Sequence, residues 1–397
     1  MKRSDLSEAL QKRLVSVEGR SGAFALVPPA PPRSVNTGSI NDKLVRAHEA
    51  LAAMDATLKL LPNAALVTRT LARREAVRSS QMEGTNTEFD ELLQYEAARD
   101  AQGLPADVRV THNYVLALEH GLERVNGATS FTSDLVKHLH QILMAGVEDY
   151  RDEPGEFRTI QNWIGGRSIY EARLVPPPAS HVPELMDGLL AYLRDQDADT
   201  PSSIIVRMAI AHAHFEAIHP FRDGNGRVGR LLMPLMLAGE GHSPVYVGGF
   251  LKGRQREYYD ALLAAQTHGE YVGWIDLLAK GVEVSCVDAI AVSKQLLALR
   301  ESWAVRLKGL RVDSAAHRVA DHLIGYPSVT VRSLEAALEI SFPTANAAVA
   351  ELVKVGILQA VTQGARNRVF AAPEVIGVLD QPIEPEPEDA PDEGFRP

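Results

Sequence analysis

Within twelve residues, the segment His219-Pro220-Phe221-Arg222-Asp223-Gly224-Asn225-Gly226-Arg227-Val228-Gly229-Arg230 gathers the groups needed to hold a polyphosphate and move a proton beside it. Gly224, Asn225 and Gly226 place two residues without Cβ around one that tolerates left-handed geometry. Such a turn can aim several backbone N–H groups into one concavity. A helix starting there would add its positive end to the same place. Arg227 and Arg230 are three apart, hence neighbours on a helix surface. Two arginines beside an amide cradle suit a di- or triphosphate. Asp223 is the only carboxylate of the loop, and one carboxylate plus phosphate oxygens commonly holds Mg²⁺. His219, with an ordinary pKa of about 6.5, suits proton removal from an attacking hydroxyl.

Two rival readings are weaker. Gly224, Gly226 and Gly229 match the dinucleotide-binding fingerprint, but that pattern should follow a strand, and Ala209–Phe215 reads as helix. His212, His214 and His219 could suggest a metal cluster. On a helix, however, His212 and His214 point to different faces, so both read as core histidines.

The elements around this segment are mostly helical in pattern. Ile205, Met208, His212 and Phe215 lie along one line of a helix over Ser202 to Ile218, which would end at the motif. The run Leu231 to Leu237 is apolar nearly all round, so the following helix should be buried, with Pro234 inside it. Helical periods also run from Asn41 to Asp100, from Thr111 to Val125, and from Thr132 to Gly146, where Ser133 is the expected cap. Pro28, Pro29, Pro31 and Pro32 favour an extended strap over residues 1–40. Gly165-Gly166 and Pro176-Pro177-Pro178 bracket a short β-hairpin or flap, Ile169–Val175.

The apolar fraction of 45% is ordinary for a globular chain. No run reaches the roughly 18 apolar residues of a membrane span, and no N-terminal secretory signal is visible, so no membrane partner is expected. The lone Cys286 suits a reducing, cytoplasmic setting. Of the net charge of −10, −6 lies in the last 18 residues. The remainder is near balance and neither demands nor excludes nucleic acid.

The pattern His219-Pro220-Phe221-x-Asp223-Gly224-Asn225-Gly226-Arg227-x-x-Arg230 resembles the Fic motif at every fixed position. The resemblance extends to Gly155-Glu156-Phe157-Arg158, to Gln161–Gly165 and to Val175–Pro178, and covers roughly residues 41–297. It implies a mainly α Fic fold with a small β-hairpin flap. It also implies transfer of AMP from ATP to a Ser, Thr or Tyr hydroxyl of a protein substrate, with Mg²⁺. By that resemblance His219 is the base and Asp223 the metal ligand. Gly224, Asn225, Gly226 and Arg227 hold the α and β phosphates, and Arg230 the γ-phosphate. Ile169, Tyr170, Leu174 and Val175 belong to the flap that pairs with an extended target. Tyr258 and Tyr259 are candidate adenine contacts, with core packing as the competing role. Ser79-x-x-x-Glu83-Gly84 resembles the inhibitory motif of such proteins, in which the glutamate pairs with the second motif arginine. As a bare helix-end carboxylate, Glu83 would instead be solvated. Transfer of UMP or another phosphate-containing group, and removal of AMP from modified protein, remain variants of the same chemistry.

Beyond Lys308-Gly309, Ala315–Leu323, Val331–Leu338 and Pro343–Val355 read as three helices followed by a β-rich end. This is the outline of a winged helix-turn-helix domain. Its third helix, the would-be recognition helix Thr344–Lys354, is poor in Lys and Arg, although Asn346, Arg366 and Arg368 could meet DNA. DNA is therefore the weaker partner, with the Fic core then acting as a sensor for a transcriptional regulator, and protein interaction or homodimerisation the stronger. The expected organisation is a strap (1–40), a helical region with the inhibitory helix (41–105), a catalytic core (106–300), a winged-helix domain (310–378) and a disordered acidic tail (379–397).

Overall fold

The computed structural model describes residues 1–61, 63–98, 104–147, 150–194, 203–311, 313–362 and 368–381. The chain begins with α1 (Glu8–Gln11) and an antiparallel hairpin, β1 (Leu14–Ser16) and β2 (Phe24–Leu26), with Leu14 opposite Leu26. The expected strap is therefore confined to the proline stretch. Strand-forming Leu14, Val15, Phe24 and Leu26 flank a turn with Gly19 and Gly22 at positive φ, and local pairing there overrides extension.

Three helices follow where one continuous pattern was expected: α2 (Asn41–Leu60), α3 (Ala64–Gln81) and α4 (Phe89–Ala98). Next come α5 (Val108–Arg124) and α6 (Ser133–Leu143). The cap of α6 is Thr132, not Ser133, and its hydroxyl accepts from the Leu135 amide at 3.2 Å. Then come α7 (Val182–Arg194), α8 (Ile204–Ile218), α9 (Asn225–Gly239), α10 (Gly248–Gly253), α11 (Gln255–His268) and α12 (Tyr271–Arg306).

Every residue of α8 is buried, which is why its sequence is apolar all round. Helices α7, α9, α11 and α12 pack about it, and Trp274 donates its indole N–H to the Ala209 carbonyl at 2.8 Å. Helix α12 runs beside α2, while α3 lies against α5, α9 and α10, so these helices share one hydrophobic core. Cys286 is buried within it. Among the described residues no helix is long and apolar enough to cross a membrane.

The last part comprises α13 (Ala315–Leu323), β3 (Ser328–Thr330), α14 (Val331–Leu338), α15 (Phe342–Lys354), β4 (Gln359–Ala360), β5 (Val369–Ala371) and α16 (Pro373–Leu379). Its strands form an antiparallel sheet in the order β3-β5-β4. Arg366 and the acidic end beyond residue 381 lie outside the described residues. This unit rests on α3. Gly325 leaves room for Leu66, and the Arg69 guanidinium lies 4.0 Å above the Tyr326 ring.

Candidate active site

Helix α8 stops at His219, a non-glycine residue at φ 52°, and Pro220 prevents its resumption. The chain turns through Phe221, which is fully buried, and re-enters helix at Asn225 after Gly224 at φ 77°. The Asn225 side chain closes this turn. It accepts from the Phe221 amide at 2.8 Å and donates to the Phe221 carbonyl at 2.9 Å. Its side chain is thus consumed by the loop at the start of α9. The first amides of a helix have no partner further back in the same helix. Those of α9 belong to Asn225, Gly226 and Arg227, and Gly226 lines the cavity beside His219.

A histidine overlooked in the sequence holds this loop from below. His140 stacks on Phe221, with ring centroids 3.7 Å apart and planes 2° from parallel. Its Nδ1 accepts from the Gly155 amide at 2.9 Å, so Nε2 carries the proton and donates to the Asp223 carbonyl at 3.1 Å. The Asn162 amide adds bonds to the carbonyls of Phe221 and Arg222. Asp223 itself accepts from the Gly224 amide at 2.6 Å, and its Oδ2 lies 3.8 Å from Arg227 Nη2 on an exposed side chain.

The two arginines of α9 serve opposite walls. Arg227 is buried towards α6, where Nη2 lies 3.7 Å from the Met144 sulfur and Nε has no hydrogen-bond partner. Arg230 is fully buried towards α3. It donates through Nε to the Ser79 hydroxyl at 2.8 Å, and through Nη2 to the Ser79 carbonyl at 3.0 Å and to Glu83 Oε1 at 2.5 Å. Glu83 reaches Arg230 because α3 ends there, with Gly84 at φ 90° turning the chain away. It also needs Gly226. A Cβ on that residue would lie 2.2 Å from Glu83 Oε1.

Glu83, Glu216, His219, Gly226, Arg230 and Tyr259 line one cavity. Gly165 and Leu174 reach it from the flap, and Tyr258 from α11. Tyr258 is almost wholly buried, its hydroxyl 2.8 Å from His212 Nε2, so packing accounts for most of its surface. His214 bonds the Tyr271 hydroxyl at 2.7 Å. The flap is closed by a single antiparallel bridge between Ile164 and Leu174. Of its expected docking residues only Tyr170 is exposed. Ile169 and Val175 are buried against Val17, Ala23 and Ala25, and Leu174 packs with Leu6, Leu10 and Leu26. The Leu26 amide donates to the Val175 carbonyl at 2.9 Å, so the N-terminal hairpin occupies that edge. Sequence periodicity could not place the hairpin there, because the partners are far apart in the chain.

Electrostatics in this region follow from burial. His219 is pushed down to about 4 by burial, with the Arg158 charge adding to the effect, so it is neutral across the physiological range. Glu216, one turn earlier on α8, has Oε2 3.7 Å from His219 Nδ1 and an unpartnered Oε1. Burial raises it to about 8, and on α3 burial raises Glu75 to about 7. Burial also lowers His140 and His214 to about 4 and His212 to about 3.

These shifts set a pH profile for stability. The four histidines are neutral when folded but take up a proton below about 6.5 when unfolded. Their contribution is complete above that pH and is lost as pH falls towards 4. The two carboxylates act oppositely. The fold keeps protons that the unfolded chain releases above about 4.5, so stability declines as pH rises through 7 to 8. Histidines outnumber carboxylates below about 6.5, and only the carboxylates act above it. The thermal midpoint should therefore peak near pH 6.5 in melts from pH 4.5 to 8.5. A midpoint still rising at pH 8 would mean that Glu75 and Glu216 are ionised in the fold.

Comparison with known proteins agrees with this geometry. Residues 130–237 match the Fic/DOC family model, and residues 41–123 match the model of the Fic/DOC family N-terminal region. Residues 130–237 are therefore similar to Fic domains. Over 159 residues it is 31% identical to the protein adenylyltransferase Fic of Aedes aegypti, a match covering 39% of this chain and 29% of that protein. The Drosophila melanogaster protein of the same description is 30% identical over 158 residues, covering 39% of this chain and 30% of its own length. The match thus spans less than a third of the length of these two curated relatives. In fold, a Fic family protein from Desulfovibrio desulfuricans superposes with a TM-score of 0.53 at 21% identity, covering 86% of this chain and 98% of that one. Fic-1 of C. elegans (residues 134–508) superposes at 0.51 with 22% identity, covering 65% and 73%. The segment matching the Fic/DOC model contains α8, the motif loop and α9, and the N-terminal match contains α2 and α3.

Proposed function

We propose that this protein transfers AMP from ATP to a hydroxyl of a target protein, and that Glu83 restrains the reaction. The observation that carries the reading is the convergence of His219, of Gly226 in the first turn of α9, and of Arg230 around one cavity, with Glu83 seated on Arg230. The target hydroxyl oxygen attacks the α-phosphorus and its proton passes to neutral His219. The bond to the bridging oxygen breaks, and pyrophosphate leaves with that electron pair. The amides of Asn225, Gly226 and Arg227, with the Arg227 guanidinium, would hold the α and β phosphates. Arg230 would take the γ-phosphate. Tyr259, on the cavity wall, and Tyr258 behind it are the candidates to flank the base.

Asp223 fits Mg²⁺ as an exposed carboxylate oxygen donor beside Arg227, with phosphate oxygens completing the set. The metal would neutralise charge on the polyphosphate. An extended target would lie along the flap, where Tyr170 and the exposed Trp163 are available. Incubation with host lysate and ATP labelled at either end tests the reading. Label from the α position should remain on protein, and label from the γ position should not. Retained γ label would replace AMP transfer by phosphoryl transfer.

Glu83 holds Arg230 in a charge-assisted bond, so a γ-phosphate must compete with a carboxylate already seated. Because that seat needs a residue without Cβ at 226, Gly226→Ala should push Glu83 aside. Label incorporation should then rise, though less than on removing Glu83, since the methyl group also crowds the amide cradle. Unchanged incorporation would mean that Glu83 accommodates the methyl group without leaving Arg230. We read residues 310–378 as a winged-helix interaction module. The outer face of α15 presents Phe342, Ala347, Ala350 and Val353, surfaces suited to a protein partner rather than to phosphates.

A further inference from the structure

Arg158 is a buried cation on the loop between α6 and the flap. Burial lowers it to about 10, and no neighbouring charge contributes to that shift. A guanidinium in such a place is tolerated only if its N–H groups are satisfied. Here backbone carbonyls satisfy them. Nε donates to the His219 carbonyl at 2.8 Å. Nη2 donates to Pro177 at 2.6 Å and to Ile218 at 3.3 Å, and Nη1 donates to Ile160 at 2.9 Å. The Arg158 amide itself donates to the Pro220 carbonyl at 2.9 Å.

One residue therefore holds three successive carbonyls, those of Ile218, His219 and Pro220. The first two belong to the end of α8, where carbonyls lack helical partners and a positive charge is favoured. His219 sits between them in the left-handed region, which a non-glycine residue leaves unless its surroundings fix it. The other two carbonyls, of Ile160 and Pro177, are the feet of the flap.

We propose that Arg158 is the positioning residue for His219, locking its left-handed backbone and joining that lock to both feet of the flap. The inference rests on the reading of His219 as the base. It adds that target docking and base orientation share one guanidinium, so a hydroxyl brought in along the flap is registered against His219. Lysine cannot replace this arrangement, because an ammonium is a point donor and lacks the planar fork that spans the four carbonyls.

The test compares Arg158→Lys with its parent in the Glu83→Gly background. Transfer of α-labelled AMP should fall about 100-fold in kcat, the loss that a misplacement of about 1 Å can cause. The KM for ATP should stay near the parent value, because Arg227, Arg230 and the α9 amides are untouched. Equal kcat in the two proteins overturns the proposal, as does a loss confined to KM. A crystal structure of the full-length Arg158→Lys protein supplies a readout independent of activity. His219 is expected to leave φ near 52° or to shift its ring from its place beside Glu216. An unmoved His219 overturns the positioning role whether or not any label is transferred. A parent that transfers no AMP while His219 moves in the variant removes the transferase reading alone.

Discussion

Glu83→Gly should raise incorporation of α-labelled AMP roughly 10- to 100-fold over the unaltered chain. The estimate comes from the bond being removed. Arg230 is fully buried, and its carboxylate partner is partly exposed, at 22% of its side chain. A hydrogen bond to a charged group contributes about 1.5–3 kcal/mol, and each 1.4 kcal/mol is a factor of ten in an equilibrium. The substitution should leave the arginine in place, because the Ser79 hydroxyl and carbonyl still accept from it. Glu83→Gln separates charge from occupancy. It keeps the side chain's reach but offers Arg230 a neutral acceptor, so incorporation should fall between the two extremes. Equal labelling in all three proteins would remove Glu83 from the regulation of this site.

In the Glu83→Gly background, His219→Ala should abolish transfer, with a loss of about 10²–10⁴-fold expected for a general base. Binding of ATP should survive, because no phosphate contact assigned above involves the imidazole. The two halves of the prediction are read separately, by label incorporation and by titration with a non-hydrolysable ATP analogue. Transfer within a factor of two of the parent would exclude His219 as the base. The neighbouring Glu216 carboxyl would then be the group to examine, since it is buried one turn away with one oxygen unpartnered.

Much of this architecture is local in origin and was readable as such. The limits of α13 and α14 coincide with their apolar spacing, and the turn at Gly224 follows from residues that permit positive φ. What spacing could not supply is contact across the chain. Glu83 and Arg230 are 147 residues apart, His140 and Asp223 are 83 apart, and no periodicity links them. The resemblance to Fic proteins suggested the first pair. Nothing suggested the second, because a histidine on an amphipathic helix looks the same whether it faces a loop or solvent. The N-terminal hairpin escaped notice for another reason. Four prolines dominate the composition of that region, while the strands before them are only three residues long. Arg227 and Arg230 illustrate the same limit at short range. Three residues apart on one helix, they face different walls once that helix is buried on all sides.

The close seat of Glu83 against Gly226 has a consequence for descent. A glycine codon becomes an alanine codon by one base change, and the altered residue would collide with the carboxylate. The proposed restraint on this site would thus be exposed to loss by mutation at a position far from the glutamate in sequence. Under that proposal, lineages that keep the restraint are expected to keep glycine at 226 wherever glutamate stands at 83, so the two positions should be compared as one character.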